Sequence, residues 1–410
     1  MSLSSPLSNV RILDFSRIVS APFASMILGD LGAEIWKIER PGRGDEVRSW
    51  APSWTASGQS CYYVSLNRNK KSIALNLKHS KGQQLARQLA SKCDVLIENF
   101  RPGTMKEFGL DYETLSTENK KLIYCSITGY GPDGPYATRA AYDINVEAIG
   151  GFMDVTGPND GQPCMAGSDV IAMITGLYAH GAILAALLQR TTTGKGQKID
   201  CNLLSTQIAA LMNVGSNYLN AGVEGHRWGT QHESVVPYQA FKTKDGRYFT
   251  VGAANDEQFK KLCKLIGLPK LPNKEEYATN ANRVKNRESL IEAISKRFLK
   301  RDLKYWESTF NDPSLPCGPV NTVAEAFAHP QVRHLGIVQE LYHPQTGAIK
   351  VTGPAVQYSE AANRIRSPPP MLGEHTKEVL SNVLNISEEE LKHLKENKAI
   401  DFAEKKENNI

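Results

Sequence analysis

The chain has 410 residues, of which 41% are hydrophobic and 22% are charged. A chain of this length can bury a large core and predicts two or three domains of about 100–200 residues each. The net charge of +5 suits a small anionic ligand and is too small for a dedicated nucleic-acid-binding surface. The seven cysteines are never spaced as CxxC, so the sequence indicates neither a zinc site nor a disulfide framework.

The first third of the chain alternates short apolar runs, rich in β-branched residues, with helical patterns. The strand-like runs are 10–15, 34–38, 72–77, 94–98 and 122–127, and the helical stretches between them are 22–31, 81–92 and 112–121. Apolar strands separated by helices predict a parallel sheet covered on both faces. The fold class is therefore α/β and doubly wound, with ligands expected at the carboxyl ends of the strands.

Beyond this sheet the pattern becomes helical and rich in alanine and glycine, over 144–153 and 170–188. We expect no membrane span, because no uninterrupted apolar run reaches the ~18 residues that a bilayer requires. A polar break at 191–197, a strand at 199–201, a helix at 203–212 and a linker at 216–229 are predicted next.

A smaller α+β unit is predicted over 234–319. It opens with strands at 238–242 and 248–252 around a Lys-Asp-Gly turn, and then becomes helical. Strands return at 337–341 and 348–351, followed by helices at 375–384 and 388–396. The tail at 401–410 is expected to fray.

Several enzyme classes are disfavoured by motifs that the sequence lacks. No GxGxxG follows the first strand, and no Walker A loop, HExxH or GxSxG occurs. These absences argue against a typical dinucleotide enzyme, a P-loop NTPase, a zinc protease and an α/β-hydrolase.

Basic residues cluster near the predicted strand ends. They are Arg40, Arg43, Arg48, Arg68, Lys70, Lys71 and Arg101. Jointly they suit a ligand with several phosphates. Taken singly, each is as readily a solvated loop charge.

Two aspartates precede predicted helices. A carboxylate at Asp169, at the start of 170–188, would be held ionised by the helix dipole and available as a nucleophile, but a simple N-cap has the same position. Asp143, before 144–153, has the same two interpretations. His232 either acts in catalysis or lines a loop, and Cys201 is interpreted as a core residue because no base accompanies it.

Several segments resemble the CaiB/BaiF family of class III CoA-transferases. They are VRILDFS at 10–16, LGDLGAE at 28–34, KIERPG at 37–42, NRNKKSI at 67–73, ENFRPG at 98–103, GKGQ at 194–197 and PMLGEHTKEVL at 370–380. Within the family the chain is similar to the succinyl-CoA–glutarate group. The segments that carry this likeness are YCSITGYG at 124–131, IDCNLLS at 199–205, RWGT at 227–230 and VVPYQAFKTKDG at 235–246.

The resemblance implies a particular domain organisation. A Rossmann-like large domain is formed by both chain ends, 1–215 and 346–410. A small α+β domain over 234–319 is inserted between linkers at 216–233 and 320–345. Two such chains are expected to interlock as a homodimer.

The resemblance also implies a set of site residues. It assigns the nucleophile to Asp169, and Tyr62 and Tyr142 to the neighbourhood of the acyl group. The contacts with coenzyme A are assigned to Arg40, Leu75, Asn99, Phe100 and Arg101. At 229–234, where the family has a glycine-rich loop over the active site, this chain lacks the glycine run.

The implied reaction moves CoA from an acyl-CoA donor, succinyl-CoA, to a dicarboxylic acid acceptor, glutarate, through aspartyl anhydride and aspartyl-CoA thioester intermediates. Coenzyme A enters as a substrate thioester, and no tightly bound cofactor, metal, nucleic acid or membrane is expected.

Two other functions remain open. The first is a 2-methylacyl-CoA racemase, although such racemases carry a histidine where this chain has Tyr142. The second is a CoA-binding scaffold without turnover. The resemblance implies a mitochondrial location, but no import presequence is visible, and cytoplasmic and peroxisomal locations also remain open.

Overall fold

The computed structural model describes residues 3–402, which form twelve strands and seventeen α-helices. The strands are β1 (Arg11–Asp14), β2 (Glu34–Glu39), β3 (Lys70–Leu75), β4 (Val95–Glu98), β5 (Ile123–Thr128), β6 (Lys198–Asn202), β7 (Tyr238–Lys242), β8 (Tyr248–Gly252), β9 (Cys317–Pro319), β10 (Val338–His343), β11 (Gly347–Thr352) and β12 (Ile400–Asp401).

The helices include the predicted ones and others outside the predicted helical ranges, such as Cys61–Leu66, Thr104–Glu107, Val323–Ala328 and Pro330–Leu335. They are α1 (Ser20–Asp30), α2 (Cys61–Leu66), α3 (Ser80–Ala90), α4 (Thr104–Glu107), α5 (Tyr112–Glu118), α6 (Asp143–Ile149), α7 (Val170–Thr193), α8 (Leu203–Ala210), α9 (Met212–Ala221), α10 (Asp256–Leu265), α11 (Asn280–Lys285), α12 (Arg287–Phe298), α13 (Leu303–Thr309), α14 (Val323–Ala328), α15 (Pro330–Leu335), α16 (Thr376–Leu384) and α17 (Glu388–Glu396).

The chain divides into two units. The larger comprises Met1–Phe152, Ala166–Ala221 and Gly336–Ile410, and the smaller comprises Met153–Met165 and Gly222–Leu335. Both chain ends therefore belong to the larger unit. The segment Met153–Met165 belongs to the smaller unit, whereas the sequence placed it within 1–215.

The larger unit is built on a seven-stranded sheet of order β12-β3-β2-β1-β4-β5-β6. All neighbours are parallel except β12, which pairs antiparallel to β3. The predicted α/β class and doubly wound sheet are thereby confirmed. Because β1 lies between β2 and β4, the chain reverses its direction of winding there, and a crevice opens at the carboxyl ends of these strands.

Each central strand contributes to a separate apolar core on either face of the sheet. On β1, Ile12 packs into one core and Leu13 into the other, and both are fully buried. On β4, Val95 and Leu96 divide in the same way. This alternation explains why the strands are apolar along their whole length rather than at every second position.

The smaller unit has a three-stranded antiparallel sheet of order β7-β8-β9. Strands β7 and β8 have the predicted bounds. Phe241 and Phe249 of this sheet pack with Phe298 of α12, and the Phe241 and Phe298 rings stack at 4.8 Å between centroids. The predicted α+β character of this region is confirmed.

Helix α7 bears on the membrane prediction. Within residues 3–402 it is the helix that is long and apolar enough, by length and composition, to cross a membrane, although Thr175, Gly176, His180 and Gly181 interrupt its apolar run. A core helix of a globular protein passes the same test. Here Gly176 lets α7 lie close to α1, because a Cβ at that position would lie 2.5 Å from the carbonyl oxygen of Ser20.

Several element boundaries differ from the prediction. Strand β3 begins two residues early, at Lys70, because its ammonium group is buried against Asp14. The predicted linker at 216–229 begins as helix α9, which follows a break at Met212, where φ is 44°. Asp401, expected to fray, pairs with Ala74, and residues 403–410 lie outside the described part of the chain.

We expect the Asp30→Ala substitution to destabilise the larger unit. Asp30 accepts hydrogen bonds from Arg68 Nε at 3.0 Å and Arg68 Nη2 at 2.6 Å, and both residues are buried. Removing the carboxylate leaves a buried guanidinium unpaired and should lower the free energy of unfolding by about 3–5 kcal/mol, measured by urea denaturation.

The control is Glu292→Ala, which breaks an exposed pair with Lys296 on α12 and should barely move the urea midpoint. Equal midpoints for Asp30→Ala and the wild type would contradict this account of the buried pair.

Candidate active site

A cavity of about 490 Å³ lies at the carboxyl ends of β1, β2, β3 and β4. It is lined by Phe15, Ser16, Arg17, Ile38, Glu39, Arg40, Arg43, Gly44, Asp45, Glu46, Leu75, Asn76, Leu77, Lys78, Phe100 and Phe108. Of the predicted CoA contacts, Arg40, Leu75 and Phe100 are in this lining. The position agrees with the crevice expected where the winding of the sheet reverses.

One wall of the cavity is the turn after β1, residues 16–18, which we call the β1 turn. Lys37 Nζ, buried beneath it, donates to the carbonyl of Ser16 at 2.6 Å and pairs with Asp45 Oδ2 at 3.0 Å. Burial opposes the charge on Lys37, but Asp45, Asp14 and Glu39 outweigh burial and raise its pKa. Lys37 therefore holds the turn as a cation.

Two further side chains fix the β1 turn through its backbone. Asp45 Oδ1 accepts from the amide of Ile18 at 3.1 Å, and Ile18 has a φ of 70°, which is rare for a β-branched residue. Asn99 accepts from the amide of Arg17 at 2.9 Å and donates to its carbonyl at 2.7 Å. The amide group of Asn99 is thus bonded to the turn, and its contact with CoA stays a prediction.

Cationic groups surround the cavity mouth. Arg40, Arg43 and Lys78 are exposed and form no ion pair within residues 3–402. Arg17 pairs with Glu46 at 2.7 Å and lies 4.7 Å from the centre of the Phe100 ring. Sequence reasoning missed Arg17 and Lys78 as cavity residues, although Lys78 directly follows a predicted strand and Arg17 lies two residues after another.

The other predicted basic residues lie elsewhere. Arg101 is exposed and outside the cavity lining. Each of the remaining four is held by carboxylates: Arg48 by Glu39, Arg68 by Asp30, Lys70 by Asp14, and Lys71 by Glu34 and Glu378. These four residues stabilise the fold. They are neither phosphate-binding residues nor solvated loop charges, the two interpretations that the sequence offered.

Asp169 stands at the N-cap position of α7 but does not cap the helix. Its φ of −70° and ψ of 65° are those of an inverse γ-turn, closed by a 2.7 Å hydrogen bond from the amide of Val170 to the carbonyl of Ser168. Its side chain accepts no hydrogen bond from the first turn of α7. The N-cap interpretation is therefore wrong for its carboxylate.

The partner of this carboxylate is Tyr62 on α2. The Tyr62 hydroxyl donates a hydrogen bond to Asp169 Oδ2. Partial burial and the negative charge of Asp169 raise the pKa of Tyr62 above its usual value, so the hydroxyl keeps its proton. Asp169 Oδ1 accepts no hydrogen bond within the described residues.

Asp143 caps α7 instead. Asp143 Oδ1 accepts from the amide of Ala172 at 2.6 Å, which is the third residue of that helix. Burial, together with the Glu147 and Asp169 carboxyls, raises the pKa of Asp143 to about 7, against the effect of this hydrogen bond. Tyr142, its neighbour, is exposed.

The β1 turn and the start of α7 belong to one apolar cluster. Val19, directly after the turn, is buried with Leu66 and Ala172, and Ile18 and Tyr62 pack against them. The cavity wall and the surroundings of Asp169 are therefore mechanically connected within the larger unit.

The segment 229–234, in the smaller unit, is held by side chains from the helical region that follows it. Arg287 donates to the carbonyls of His232, at 2.9 Å, and Glu233, and Asn280 donates to the carbonyl of Ser234 at 2.8 Å. His232 Nδ1 accepts from the Ser234 amide at 3.0 Å. This favours the loop-lining interpretation of His232.

Cys201 is half-buried on β6 and packs against the apolar core that contains Cys125. Its interpretation as a core residue agrees with this position.

Comparison with known proteins decides the family. The model of CoA-transferase family III matches residues 7–376. The chain belongs to CoA-transferase family III. It is 49% identical over 383 residues to the succinyl-CoA:glutarate CoA-transferases of Mus musculus and Homo sapiens, and the match covers 93% of this chain and 87% of each relative.

A solved structure agrees with this family III membership. A CaiB/BaiF family protein from Brucella suis superimposes with a TM-score of 0.84 at 36% identity, over 93% of this chain and all of that one. The resemblance inferred from the sequence motifs is confirmed, and with it the class of enzyme, a class III CoA-transferase.

Glu98, at the end of β4, gives a pH-dependent prediction for this site. It accepts hydrogen bonds from Ser126 Oγ and from the amide of Phe100. Burial nevertheless raises its pKa to about 7. Because the folded state binds this proton more tightly than the unfolded state, the contribution of Glu98 to stability falls as the pH rises from about 4.5 to about 7.

Glu98→Gln mimics the protonated acid and removes this dependence. We expect its stability, relative to the wild type, to be higher at pH 8 than at pH 5, measured by urea midpoints at both pH values. The same difference between the two proteins at both pH values would contradict a raised pKa at Glu98.

Proposed function

We propose that this family III enzyme transfers CoA from succinyl-CoA to glutarate, with Asp169 as the nucleophile. One observation carries the proposal: Asp169 Oδ1 accepts no hydrogen bond from residues 3–402, while Oδ2 is held by the Tyr62 hydroxyl. A carboxylate at a helix start is normally consumed by capping. Here it is presented with one oxygen available for attack on a carbonyl carbon.

The cavity supports the binding of coenzyme A in the same unit. Arg40, Arg43 and Lys78 provide unpaired cations at its mouth, which suits the phosphates of CoA. Phe100 and Leu75 provide apolar surface within it. In this proposal Asn99 contributes by holding the backbone of the β1 turn, and Arg101 adds an exposed cation nearby in sequence.

The first half of the reaction forms the covalent enzyme. Asp169 Oδ1 attacks the thioester carbonyl of succinyl-CoA, and the C–S bond breaks. The products are a CoA thiolate and a mixed anhydride of Asp169 with succinate. The thiolate then attacks the Asp169 carbonyl carbon of that anhydride. The C–O bond breaks, succinate leaves, and an aspartyl-CoA thioester remains.

The second half reverses these steps with the acceptor. A glutarate carboxylate attacks the carbonyl carbon of the aspartyl-CoA thioester and expels the CoA thiolate. This step forms a new anhydride, between Asp169 and glutarate. The thiolate attacks the glutaryl carbonyl, so that glutaryl-CoA and the free Asp169 carboxylate are released. The thioester bond is conserved overall, and the tetrahedral oxyanions require positioned hydrogen-bond donors.

The protonated hydroxyl of Tyr62 is proposed to position the nucleophile. In the resting site it orients the carboxylate and leaves Oδ1 facing the substrate. Because burial and the Asp169 carboxylate raise the pKa of Tyr62, the hydroxyl is a hydrogen-bond donor in the resting site. Tyr142, exposed beside Asp143, is proposed to lie near the acyl group.

The choice of acids rests on the relatives. The mouse and human proteins that are 49% identical to this chain carry the name succinyl-CoA:glutarate CoA-transferase. We therefore assign succinyl-CoA as the donor and glutarate as the acceptor.

Substitution of Asp169 tests the chemistry. We expect Asp169→Ala and Asp169→Asn to abolish formation of glutaryl-CoA from succinyl-CoA and glutarate, measured by liquid chromatography, while both still bind CoA. Tyr62→Phe, the matched control at the same carboxylate, should lower kcat by about 100-fold to 1,000-fold, as expected for loss of one positioned donor. Transfer by Asp169→Ala at the wild-type rate would refute the assignment.

The same assay compares acceptors. Glutarate should give a higher kcat/KM than formate, oxalate or carnitine, and a reversed order would refute the choice of acceptor. Incorporation of solvent deuterium at the α-carbon of a 2-methylacyl-CoA, without any acceptor acid, would instead support the racemase.

We further propose that two copies of the chain form a homodimer. Exposed apolar side chains are concentrated on α7, α8 and α9: Leu177, Tyr178, Leu188, Ile208, Met212 and Leu219. Helix α9 has no buried residue at all. Such a surface is typical of a protein interface.

Light scattering should give twice the mass of one chain, and Leu219→Lys should shift it toward one chain. The control is Leu299→Lys, at an exposed leucine after α12, which should leave the dimer intact. A monomeric mass for the wild type would refute this proposal.

A further inference from the structure

We propose that Asp143 is a positioning residue for Asp169: by accepting the hydrogen bond of the Ala172 amide, it prevents the Asp169 carboxylate from capping its own helix. The proposal rests on the assignment of Asp169 as the nucleophile. It gives Asp143 a role through α7 and not through contact with substrate.

The physical basis is a competition for one donor. An aspartate at an N-cap normally accepts from the second or third amide of its helix. The third amide of α7 belongs to Ala172, and Asp143 Oδ1 already occupies it at 2.6 Å. Because Asp143 already accepts from this amide, Asp169 would gain one hydrogen bond fewer by capping its own helix. Its carboxylate therefore remains hydrogen-bonded to Tyr62.

Another N-cap aspartate of the same chain, Asp111, has a different geometry from Asp169. Asp111, at the start of α5, has an extended ψ of 163° and accepts from the amide of Thr114 at 3.0 Å. Asp169 has a ψ of 65°, set by the γ-turn between Ser168 and Val170. To cap α7 as Asp111 caps α5, Asp169 would have to give up this turn.

Asp143 is itself held in place from within the unit. Glu147, one turn further along α6, is fully buried and accepts from the amide of Ala166 at 3.2 Å, a few residues before Asp169. Thus α6 fixes the chain on both sides of the γ-turn. Asp143 Oδ2 and Glu147 Oε1 are both buried, and neither has a hydrogen-bond partner in the part of the chain that the structure describes.

Asp143 Oδ2, Glu147 Oε1 and the raised pKa of Asp143 together indicate that the Asp143 and Glu147 carboxyls share one proton near neutral pH. The charged or titratable groups that interact with Asp143 are Glu147, Asp169 and Tyr62. A neutral Asp143 still offers a carbonyl oxygen to Ala172, and it spares Asp169 a second full negative charge. The capping role therefore needs an acceptor oxygen and not a charge.

Three variants separate this role from general structural support. Asp143→Ala removes the acceptor, Asp143→Asn keeps an acceptor of the same shape without the acid, and Asp111→Ala is a matched deletion of an ordinary helix cap. Each is assayed for kcat and KM with succinyl-CoA and glutarate, for CoA binding, and for its thermal midpoint.

We expect Asp143→Ala to lower kcat by about 100-fold, the scale of a displaced reacting group, with CoA binding unchanged within about threefold. Asp143→Asn should recover most of the lost rate. Asp111→Ala should lower the thermal midpoint and leave kcat as in the wild type. If Asp143→Ala does not fold, Asp143→Ser, whose hydroxyl is one bond shorter than the carboxyl, takes its place.

Two results would overturn the proposal. The first is wild-type kcat in Asp143→Ala, and the second is a rate for Asp143→Asn as low as that of Asp143→Ala, since the acid and not the acceptor would then matter. A crystal structure of Asp143→Ala provides a test independent of activity, because Asp169 should have turned onto the amide of Ile171 or Ala172. An unmoved Asp169 there would also overturn it.

These outcomes are distinguishable from failure of the proposed function. If Asp169→Ala retains transfer, the nucleophile assignment fails, whatever the Asp143 variants do. If Asp169→Ala is inactive and Asp143→Ala is unimpaired, only the positioning role fails.

Discussion

The buried ammonium of Lys37 is the interaction on which the rest of the larger unit depends. It is completely removed from solvent, pairs with Asp45 and bonds the carbonyl of Ser16. A buried charge is tolerated only when it is fully paired. Because the carbonyl of Ser16 is one of the partners of Lys37, this requirement fixes the position of the β1 turn. That turn is a wall of the cavity, and its Ile18 packs against the same apolar cluster as Tyr62.

The position of Asp169 depends on residues that are distant from it in sequence. Asp143 supplies the cap of α7, Tyr62 holds one oxygen of Asp169, and the γ-turn keeps Asp169 out of the capping geometry. A nucleophilic carboxylate gains from the helix dipole only if the helix amides do not also consume it. The arrangement places the charge of Asp169 at a helix start while none of the described residues donates a hydrogen bond to Oδ1.

Sequence patterns predicted the sheet well because its strands are apolar on both faces, and this leaves continuous β-branched runs. They misplaced the start of β3 because Lys70 is buried, which only its long-range pairing with Asp14 permits. The same limit applies to the site. Asp143 and Asp169 look alike by spacing, and the hydrogen bond from Ala172 to Asp143 spans 29 residues, so only the folded chain distinguishes them. The pairing of Arg68 with Asp30 was invisible for the same reason.

The most direct test of the central claim is to trap the covalent enzyme. The protein is incubated with succinyl-CoA, quenched with hydroxylamine, digested and analysed by mass spectrometry. The account predicts a hydroxamate on the peptide that contains Asp169, formed only when succinyl-CoA is present. Succinyl-CoA turnover with no modification of that peptide, or a hydroxamate on another carboxylate, would contradict it.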